Sequence, residues 1–394
     1  MTSIRRIVSL IDRSISSTGR NDLQTRFSRF WFSTSAFKSY LAVIDRLIVG
    51  GTNFLTMVIV GRACGLEDLG VFALAWTILL GINVAQEAFV LSPFTVFCRR
   101  DTDAKSNKTY AWTTWLLQIA SAAAAVTIAL LCASLMTHFE VGSTVQAVAW
   151  SLAIAIPAVS MREFVRRYLF AKLETTKALI LDALVAGLQF AGLGAFSYTG
   201  SLSPGSALVV IAMATAVPAL TWLLLNRKNF QITGRSELLA QGWRHWRFGR
   251  WIGAGQLSDL AVTHGVAWLV AALAGTAATG MFAACNSLIM VVNPLILGIG
   301  NVLLPRTAQA NHEHGSEEVN RIVWKTTSLL ALSVGLICLG VALFGEVLIG
   351  AFYSLGSLEG VQEIIVLLAL ANFVGAVSFA VDNGLLVVNR PDVN

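Results

Sequence analysis

The chain has 394 residues, of which 56% are hydrophobic and only 13% are charged, whereas about 25% of the residues of a soluble domain are charged. Its mean hydropathy is +0.70. The segments 109–139, 183–226 and 260–305 contain no Asp, Glu, Lys or Arg, and each exceeds the roughly 20 apolar residues that cross a bilayer. Soluble enzymes, secreted disulfide-stabilised domains and disordered chains are thereby excluded. The composition predicts an all-α, polytopic membrane protein.

The segment 1–38 is basic, with seven Lys and Arg residues. Ile4, Ile7, Val8 and Ile11 recur at helical spacing within it, which predicts an amphipathic cytoplasmic tail lying on the inner leaflet. The segment contains no apolar run long enough for the core of a cleavable signal peptide.

Ten apolar segments, separated by turn residues or charges, predict a bundle of ten transmembrane helices. Helices are preferred to a barrel because the apolar runs are continuous instead of alternating. Six helices form a first lobe over 39–226, a basic and aromatic linker occupies 227–249, and four helices form a second lobe over 250–394. The helices are predicted at about 40–63, 70–97, 110–136, 144–166, 178–198, 206–226, 250–273, 279–305, 323–350 and 361–388.

The basic residues are distributed asymmetrically with respect to these helices. If the N-terminus is cytoplasmic, all but Arg46 and Arg62 of the 28 Lys and Arg residues fall on the cytoplasmic side. The positive-inside rule therefore predicts a cytoplasmic N-terminus.

A weak internal repeat appears at an offset of 210 residues. GLEDLGVFALAWTILLGIN (Gly65–Asn83) aligns with GTAATGMFAACNSLIMVVN (Gly275–Asn293), with two Gly, one Phe, one Ala and one Asn in common. The alignment places helices 1 and 2 over helices 7 and 8, six spans apart. It predicts a parallel repeat related by an axis along the membrane normal, as occurs in secondary transporters.

Helix 2 carries a polar face made of Asn83, Gln86 and Glu87. Polar and ionisable side chains inside a bilayer are costly unless they face a cavity or a partner. We therefore predict that Asn83 and Gln86 line a substrate cavity and that Glu87 binds a coupling ion, since desolvation would favour a protonated carboxyl. The alternative is a polar clamp that holds helix 2 to its neighbours.

Helices 1 and 7 supply the other intramembrane candidates. Asp45 and Asp259 are predicted to bind the coupling ion, and Arg46 and Gln256, which overlie each other at the 210-residue offset, are predicted to bind substrate. A guanidinium fork at Arg46 suits the oxygens of a phosphate. Arg46 also lies near enough to the cytoplasmic interface to snorkel or to pair with an acid.

Helix 8 contributes Asn293, for which cavity lining and interhelical packing are equally favoured. Asp182 and Asp382 lie near the predicted inner interface, where solvation accounts for them. The five cysteines lie in or beside apolar segments without the spacing of a disulfide or metal site, so they are expected to pack in the interior. No metal site is predicted.

Three stretches carry a resemblance to a known family: Gly50–Leu80, Met161–Leu184 and Asn301–Lys325. The first is similar to an opening hairpin with an acidic pair, a glycine and an aromatic residue after helix 1. The second has a basic loop followed by an aspartate, and the third a helix ending in proline and an amphiphilic loop. Together they resemble the Wzx-type O-antigen flippases, in the superfamily that also holds multidrug extruders and lipid II flippases.

The resemblance implies a flippase that moves an undecaprenyl-diphosphate-linked oligosaccharide across the bacterial cytoplasmic membrane, for lipopolysaccharide or other surface polysaccharide. It implies H+ or Na+ as the coupling ion with no other cofactor, and membrane lipids and other polysaccharide assembly proteins as partners. The family generally has twelve helices, so the second lobe, with four, is two helices short of that pattern.

Two other functions remain open. One is a cation-coupled multidrug extruder of the same superfamily. The other is an integral-membrane glycan polymerase or ligase, although the predicted outer loops are short and contain few ionisable residues. We expect a protein that is not an enzyme. Nucleic acid is not an expected partner, since the basic aromatic segment WRHWRFGRW adjoins membrane spans and suits lipid headgroups.

Overall fold

The computed structural model describes residues 34–98, 104–139, 142–232, 234–293, 295–296, 299, 303, 307, 316–354 and 360–387. These residues form helices and short connections, with no strand among them. Nine helices within the described residues are long and apolar enough to cross a membrane, so the chain is a polytopic helical bundle, as its composition predicts. The amphipathic tail lies almost entirely outside the described residues.

The helices are numbered in chain order. α2 contains a π-helical turn at Glu87–Leu91, and α7 spans two of the predicted helices. Their bounds are α1 Thr34–Cys64, α2 Leu66–Phe97, α3 Ala104–His138, α4 Ser143–Ala171, α5 Thr175–Tyr198, α6 Pro204–Leu225, α7 Arg235–Ile289, α8 Ser316–Tyr353 and α9 Val361–Val387.

α7 is two helices joined at Gly275, whose backbone is not helical (φ 85°, ψ −178°). Splitting it there restores the ten predicted helices within the described residues. At its other end α7 begins at Arg235, so the predicted linker is mostly the first turns of α7 and not a separate segment. The mixture of Arg, Trp and Leu in this region contains no proline that would break a helix.

Short connections place successive helices antiparallel and alternate between the two ends of the bundle. We call one end the glycine end, because its turns contain Gly65, Gly142, Gly200, Gly275 and Gly360. The opposite end contains the connections at 172–174 and 226–232 and the start of α7, and we call it the basic end.

The two copies of the repeat share a distinctive backbone geometry. Gly65, which precedes α2, has φ 89° and ψ 178°, nearly the values of Gly275. This region of backbone conformation is essentially restricted to glycine. Five residues later in each copy, Gly70 and Gly280 pack against each other so closely that a Cβ on Gly70 would overlap the carbonyl oxygen of Thr276.

The lobes meet at the glycine end in one apolar core. Leu69 and Phe72 of the first lobe are buried with Cys285 and Tyr353 of the second. The Tyr353 ring lies against Gly61, and its hydroxyl is 2.7 Å from the Ser287 hydroxyl. At the glycine end the two lobes are therefore in direct contact, and the approach of Gly70 to Gly280 depends on residues without a Cβ.

Replacing Gly70 with alanine should separate α2 from α7, because the new Cβ meets backbone and not a movable side chain. We expect a loss of about 1–3 kcal/mol in unfolding free energy, as for overpacked cores. The matched control is Gly187→Ala, on an exposed helix surface with no atom within 4 Å of the new Cβ. The measurement is thermal unfolding of the purified variants in detergent. Equal melting temperatures for the two variants would contradict the prediction.

Candidate functional site

Seven charged side chains from four helices of the first lobe converge toward the basic end. α4 supplies three arginines and a glutamate, and the other three helices each supply one carboxylate. We call this set the charged cluster. Its members are Asp45 of α1, Glu87 of α2, Arg162, Glu163, Arg166 and Arg167 of α4, and Asp182 of α5.

Arg166 joins two buried carboxylates on different helices. Its Nη2 is 2.5 Å from Asp45 Oδ2, and its Nε is 2.7 Å from Asp182 Oδ2. Asp45 and Asp182 are only 1% and 2% exposed and lie close enough to interact directly. One guanidinium thus joins α1, α4 and α5 and lies between two carboxylates that would otherwise repel each other.

Arg162 completes the surroundings of Asp182. Its Nη2 and Nε are 2.5 and 3.1 Å from Asp182 Oδ1, and its Nη1 is 2.7 Å from Glu163 Oε1. Asp182 therefore accepts hydrogen bonds from two guanidinium groups. Such charge-assisted bonds offset the cost of taking the ions out of water.

The third arginine connects α4 to the π-helical turn of α2. Arg167 forms an ion pair with Glu87, and the Ser92 hydroxyl donates to Glu87 Oε1 at 3.0 Å. The side chains of Arg167 and Glu87 are 34% and 24% exposed. This pair is more accessible to water than the Asp45, Arg166 and Asp182 bridge.

A small cavity of about 40 Å³ adjoins the cluster inside the first lobe. Arg162 and Asp182 form its charged wall, and helices α1, α2, α4, α5 and α6 enclose it. The amide of Gln189 donates to the Thr56 hydroxyl at 2.7 Å beside it. Its other polar lining residues are Thr52, Asn53 and Thr215. The other six of its twelve lining residues are apolar, so the cavity combines an ionic wall and neutral hydrogen-bonding groups with an apolar surface.

Of the predicted site residues, Asp45 and Glu87 belong to the cluster, and Arg46 lies beside it. Arg46 is exposed and forms no ion pair in the part of the chain that is described. Arg166, Arg167 and Glu163 are among the charges that act on it. Arg46 thus presents an exposed guanidinium beside the cluster, where the carboxylates of Asp45 and Glu163 also act on it.

Gln86 lies elsewhere, in a buried hydrogen-bonded group. The amide of Gln118 on α3 donates to Gln86 Oε1 at 2.9 Å and to the Ser160 carbonyl of α4 at 3.0 Å. The Gln86 amide is 3.3 Å from the Ser121 hydroxyl. This geometry favours the alternative of a polar clamp between α2, α3 and α4 over cavity lining. Asn83, one turn earlier, is half-buried.

The other predicted residues do not join the cluster. Asp259 is exposed on α7, where it interacts electrostatically with His264, and Gln256 is half-buried one turn before it. The amide of Asn293 donates to Met290 Sδ at 2.8 Å. The described residues contain no group of His, Cys, Asp and Glu side chains that would hold a metal ion.

Asp182, expected to be solvated, is instead a buried centre of the cluster, whereas the side chain of Asp382 lies outside the described residues. The predicted helix 4 ends at about 166, whereas α4 continues to Ala171 and includes Arg162, Arg166 and Arg167. The sequence did indicate that Arg162 and Arg166 act together, because residues four positions apart lie on the same face of a helix.

No protein-family model matches the chain, and no curated protein is similar to it. Solved structures do match. A crystal structure of a mutant MATE protein has a TM-score of 0.63 with 14% identity, covering 93% of this chain and 85% of that one. An outward-facing multidrug resistance MATE family transporter of the MOP superfamily has a TM-score of 0.63 with 17% identity, covering 90% and 82%.

A third structure is a MOP superfamily transporter from Pyrococcus furiosus whose binding pocket is described as having reverse polarity, suggesting a different function. It is 17% identical, with a TM-score of 0.60 and coverage of 90% of this chain and 82% of that one. At these identities the comparisons concern the fold. The chain thus has the fold of the MATE transporters in the MOP superfamily.

Replacing Arg166 with methionine should be strongly destabilising, because Asp45 and Asp182 would keep their burial and lose their shared partner. Removing one member of a buried pair costs about 3–5 kcal/mol. The double variant Arg166→Met, Asp45→Asn should recover part of this loss. Lys177→Met is the control, since its pair with Glu174 is largely exposed and should contribute at most about 1 kcal/mol. Equal unfolding midpoints for the two single variants would refute the prediction.

Proposed function

We propose that the chain is a membrane transporter that moves an amphiphilic cargo by alternating access between two lobes. The observation that carries this proposal is the charged cluster, which lies within membrane-spanning helices and borders a small cavity with both polar and apolar lining residues. Buried charges of this kind mark ion or substrate pathways in membranes. The repeated α1–α2 and α7 geometry supports motion of one lobe against the other.

The coupling step is proposed to take place at the Asp45 and Asp182 pair, with H+ as the ion. A proton on Asp45 would remove its charge, weaken its 2.5 Å bond with Arg166 and leave that guanidinium to Asp182. The link between α1 and α4 would then loosen while α4 and α5 stay joined. Na+ is a poorer candidate for this position, because Arg166 already supplies the cation between the two carboxylates.

Multidrug extrusion is the cargo hypothesis that the comparisons favour. One matched structure is named as a multidrug resistance transporter, and the match extends over 90% of this chain. Under this hypothesis, apolar residues and the carboxylates of the first lobe contact a cationic, aromatic compound. The carboxylates of the cluster are already paired with arginines, so the cargo would have to compete with them or bind at neutral lining residues.

A lipid-linked oligosaccharide is the second candidate, favoured by Arg46. The exposed guanidinium of Arg46 suits an anionic diphosphate, although Asp45 and Glu163 act on it as well as Arg166 and Arg167. On this hypothesis, the basic end faces the cytoplasm of a bacterial cell, and other polysaccharide assembly proteins receive the product. Reversed pocket polarity is described for one structural neighbour and concerns that protein. In this chain, the charge beside the cavity is therefore the property to test.

Arg46→Gln separates the two cargo hypotheses, because it removes one positive charge beside the cluster. With an anionic diphosphate cargo, losing one charge-assisted contact of about 1.5–3 kcal/mol should lower transport more than tenfold. With a cationic drug, transport should be unchanged or faster. Arg62→Gln is the control, since Arg62 is exposed on the same helix at the glycine end.

The measurement uses the purified protein in liposomes, with a fluorescent lipid-linked diphosphate glycan in one assay and a cationic dye in the other. Failure of the intact chain to move either compound faster than empty liposomes would refute the transport proposal. Movement of the dye alone, unaffected by Arg46→Gln, would refute the glycan hypothesis.

A further inference from the structure

The first turns of α7 belong to the second lobe by connectivity, yet they lie on the first lobe. Residues 243–253 cross α2 at its π-helical turn, and we call them the latch segment. The Trp246 ring stacks on Phe89 with a centroid distance of 5.2 Å. The Arg244 guanidinium lies 3.8 Å from the centroid of the Phe97 ring. Both contacts join helices of different lobes at the basic end.

His245 forms the polar centre of this contact. It is 2% exposed, with Nε2 at 2.6 Å from the Tyr110 hydroxyl and Nδ1 at 3.3 Å from the Phe89 carbonyl oxygen. A carbonyl oxygen only accepts, so Nδ1 carries the proton and donates, and Nε2 accepts from the hydroxyl. The neutral imidazole therefore satisfies both of its nitrogens with groups of the first lobe.

Two glycines allow the latch segment to lie directly on α2. A Cβ on Gly249 would lie 2.7 Å from the Ala88 carbonyl oxygen, and one on Gly253 would lie 2.8 Å from the Phe89 ring. His245, Gly249 and Gly253 are spaced by four residues and form one face of the helix. Phe89, which is half-buried, thus contacts both this glycine face and the Trp246 ring.

The docking point is the part of α2 that departs from α-helical geometry. The π-helical turn extends from Glu87 to Leu91, and its first residue is the carboxylate that pairs with Arg167 of the charged cluster. One turn therefore holds the ion pair on one side and the latch segment on the other. Displacing the latch segment would free the Phe89 carbonyl and the turn that positions Glu87.

We propose that the latch segment is an interlobe latch that keeps the basic end closed on the α2 and α7 side and communicates with the charged cluster through the π-helical turn. In the docked state, His245, Gly249 and Gly253 hold α7 against α2. In the open state, the second lobe carries the segment away and Glu87 is released from its fixed position. The latch would serve the alternating access proposed above, and in this it rests on the proposed function. The distance measurement that tests it requires no cargo.

The test is a spin-label distance between lobes at the basic end. Labels are attached to Thr176→Cys of α5 and Asn320→Cys of α8, both exposed, after replacement of the five native cysteines. Tyr110→Phe keeps the ring and removes only the hydroxyl that His245 binds. Losing one hydrogen bond of this kind should raise the population of longer distances about fivefold.

Gly249→Ala should raise that population further, since the added methyl meets backbone. Its matched control is Gly255→Ala, on the same helix with no atom within 4 Å of the new Cβ, which should leave the distribution unchanged. If Gly249→Ala does not fold, the distances measured in Tyr110→Phe still test the proposal. Unchanged distances in folded Tyr110→Phe, or a lower melting temperature without any change in distance, would overturn the latch and leave only a structural contact. Neither outcome bears on whether the intact chain transports cargo.

Discussion

The arrangement of the first lobe depends on one constraint: a charge buried within a membrane-spanning bundle needs a partner. Asp45 and Asp182 lie on different helices and share Arg166, so three helices are fixed by two charge-assisted contacts. Arg162 then donates hydrogen bonds to Oδ1, the other carboxylate oxygen of Asp182. Because Asp45 or Asp182 left alone would be a buried, unpaired ion, these contacts define where α1, α4 and α5 lie relative to one another.

The second constraint is the close approach of helix backbones. It acts between the two lobes, whereas the charged cluster joins helices within the first lobe. Gly70 meets Gly280 at the glycine end, and Gly249 and Gly253 meet α2 at the basic end. In lipid, helix association relies on close packing and hydrogen bonds because lipid tails are as apolar as the side chains. The glycines at both ends therefore let the helices of the two lobes pack backbone against backbone.

Much of the fold follows from the sequence, because apolar length and the charge pattern determine helix number and alternation with little help from tertiary contacts. The repeat is visible for a physical reason as well. Gly65 and Gly275 occupy a backbone region closed to other residues, so the turn keeps the same residue in both copies. No residue of this kind marks the predicted end of the linker at 249, because α7 continues through that position.

The site is less predictable, because a single sequence gives the depth of a residue in the membrane but not its partner. Glu87 and Asp45 stand out as intramembrane acids, whereas Arg166 at the predicted end of a helix is indistinguishable from a positive-inside residue. Only the tertiary fold shows that α4 extends past it and turns it toward Asp45. The same argument applies to His245, a lone histidine within a basic segment. Its role depends on the Phe89 carbonyl and the Tyr110 hydroxyl, which lie over 130 positions away in the chain.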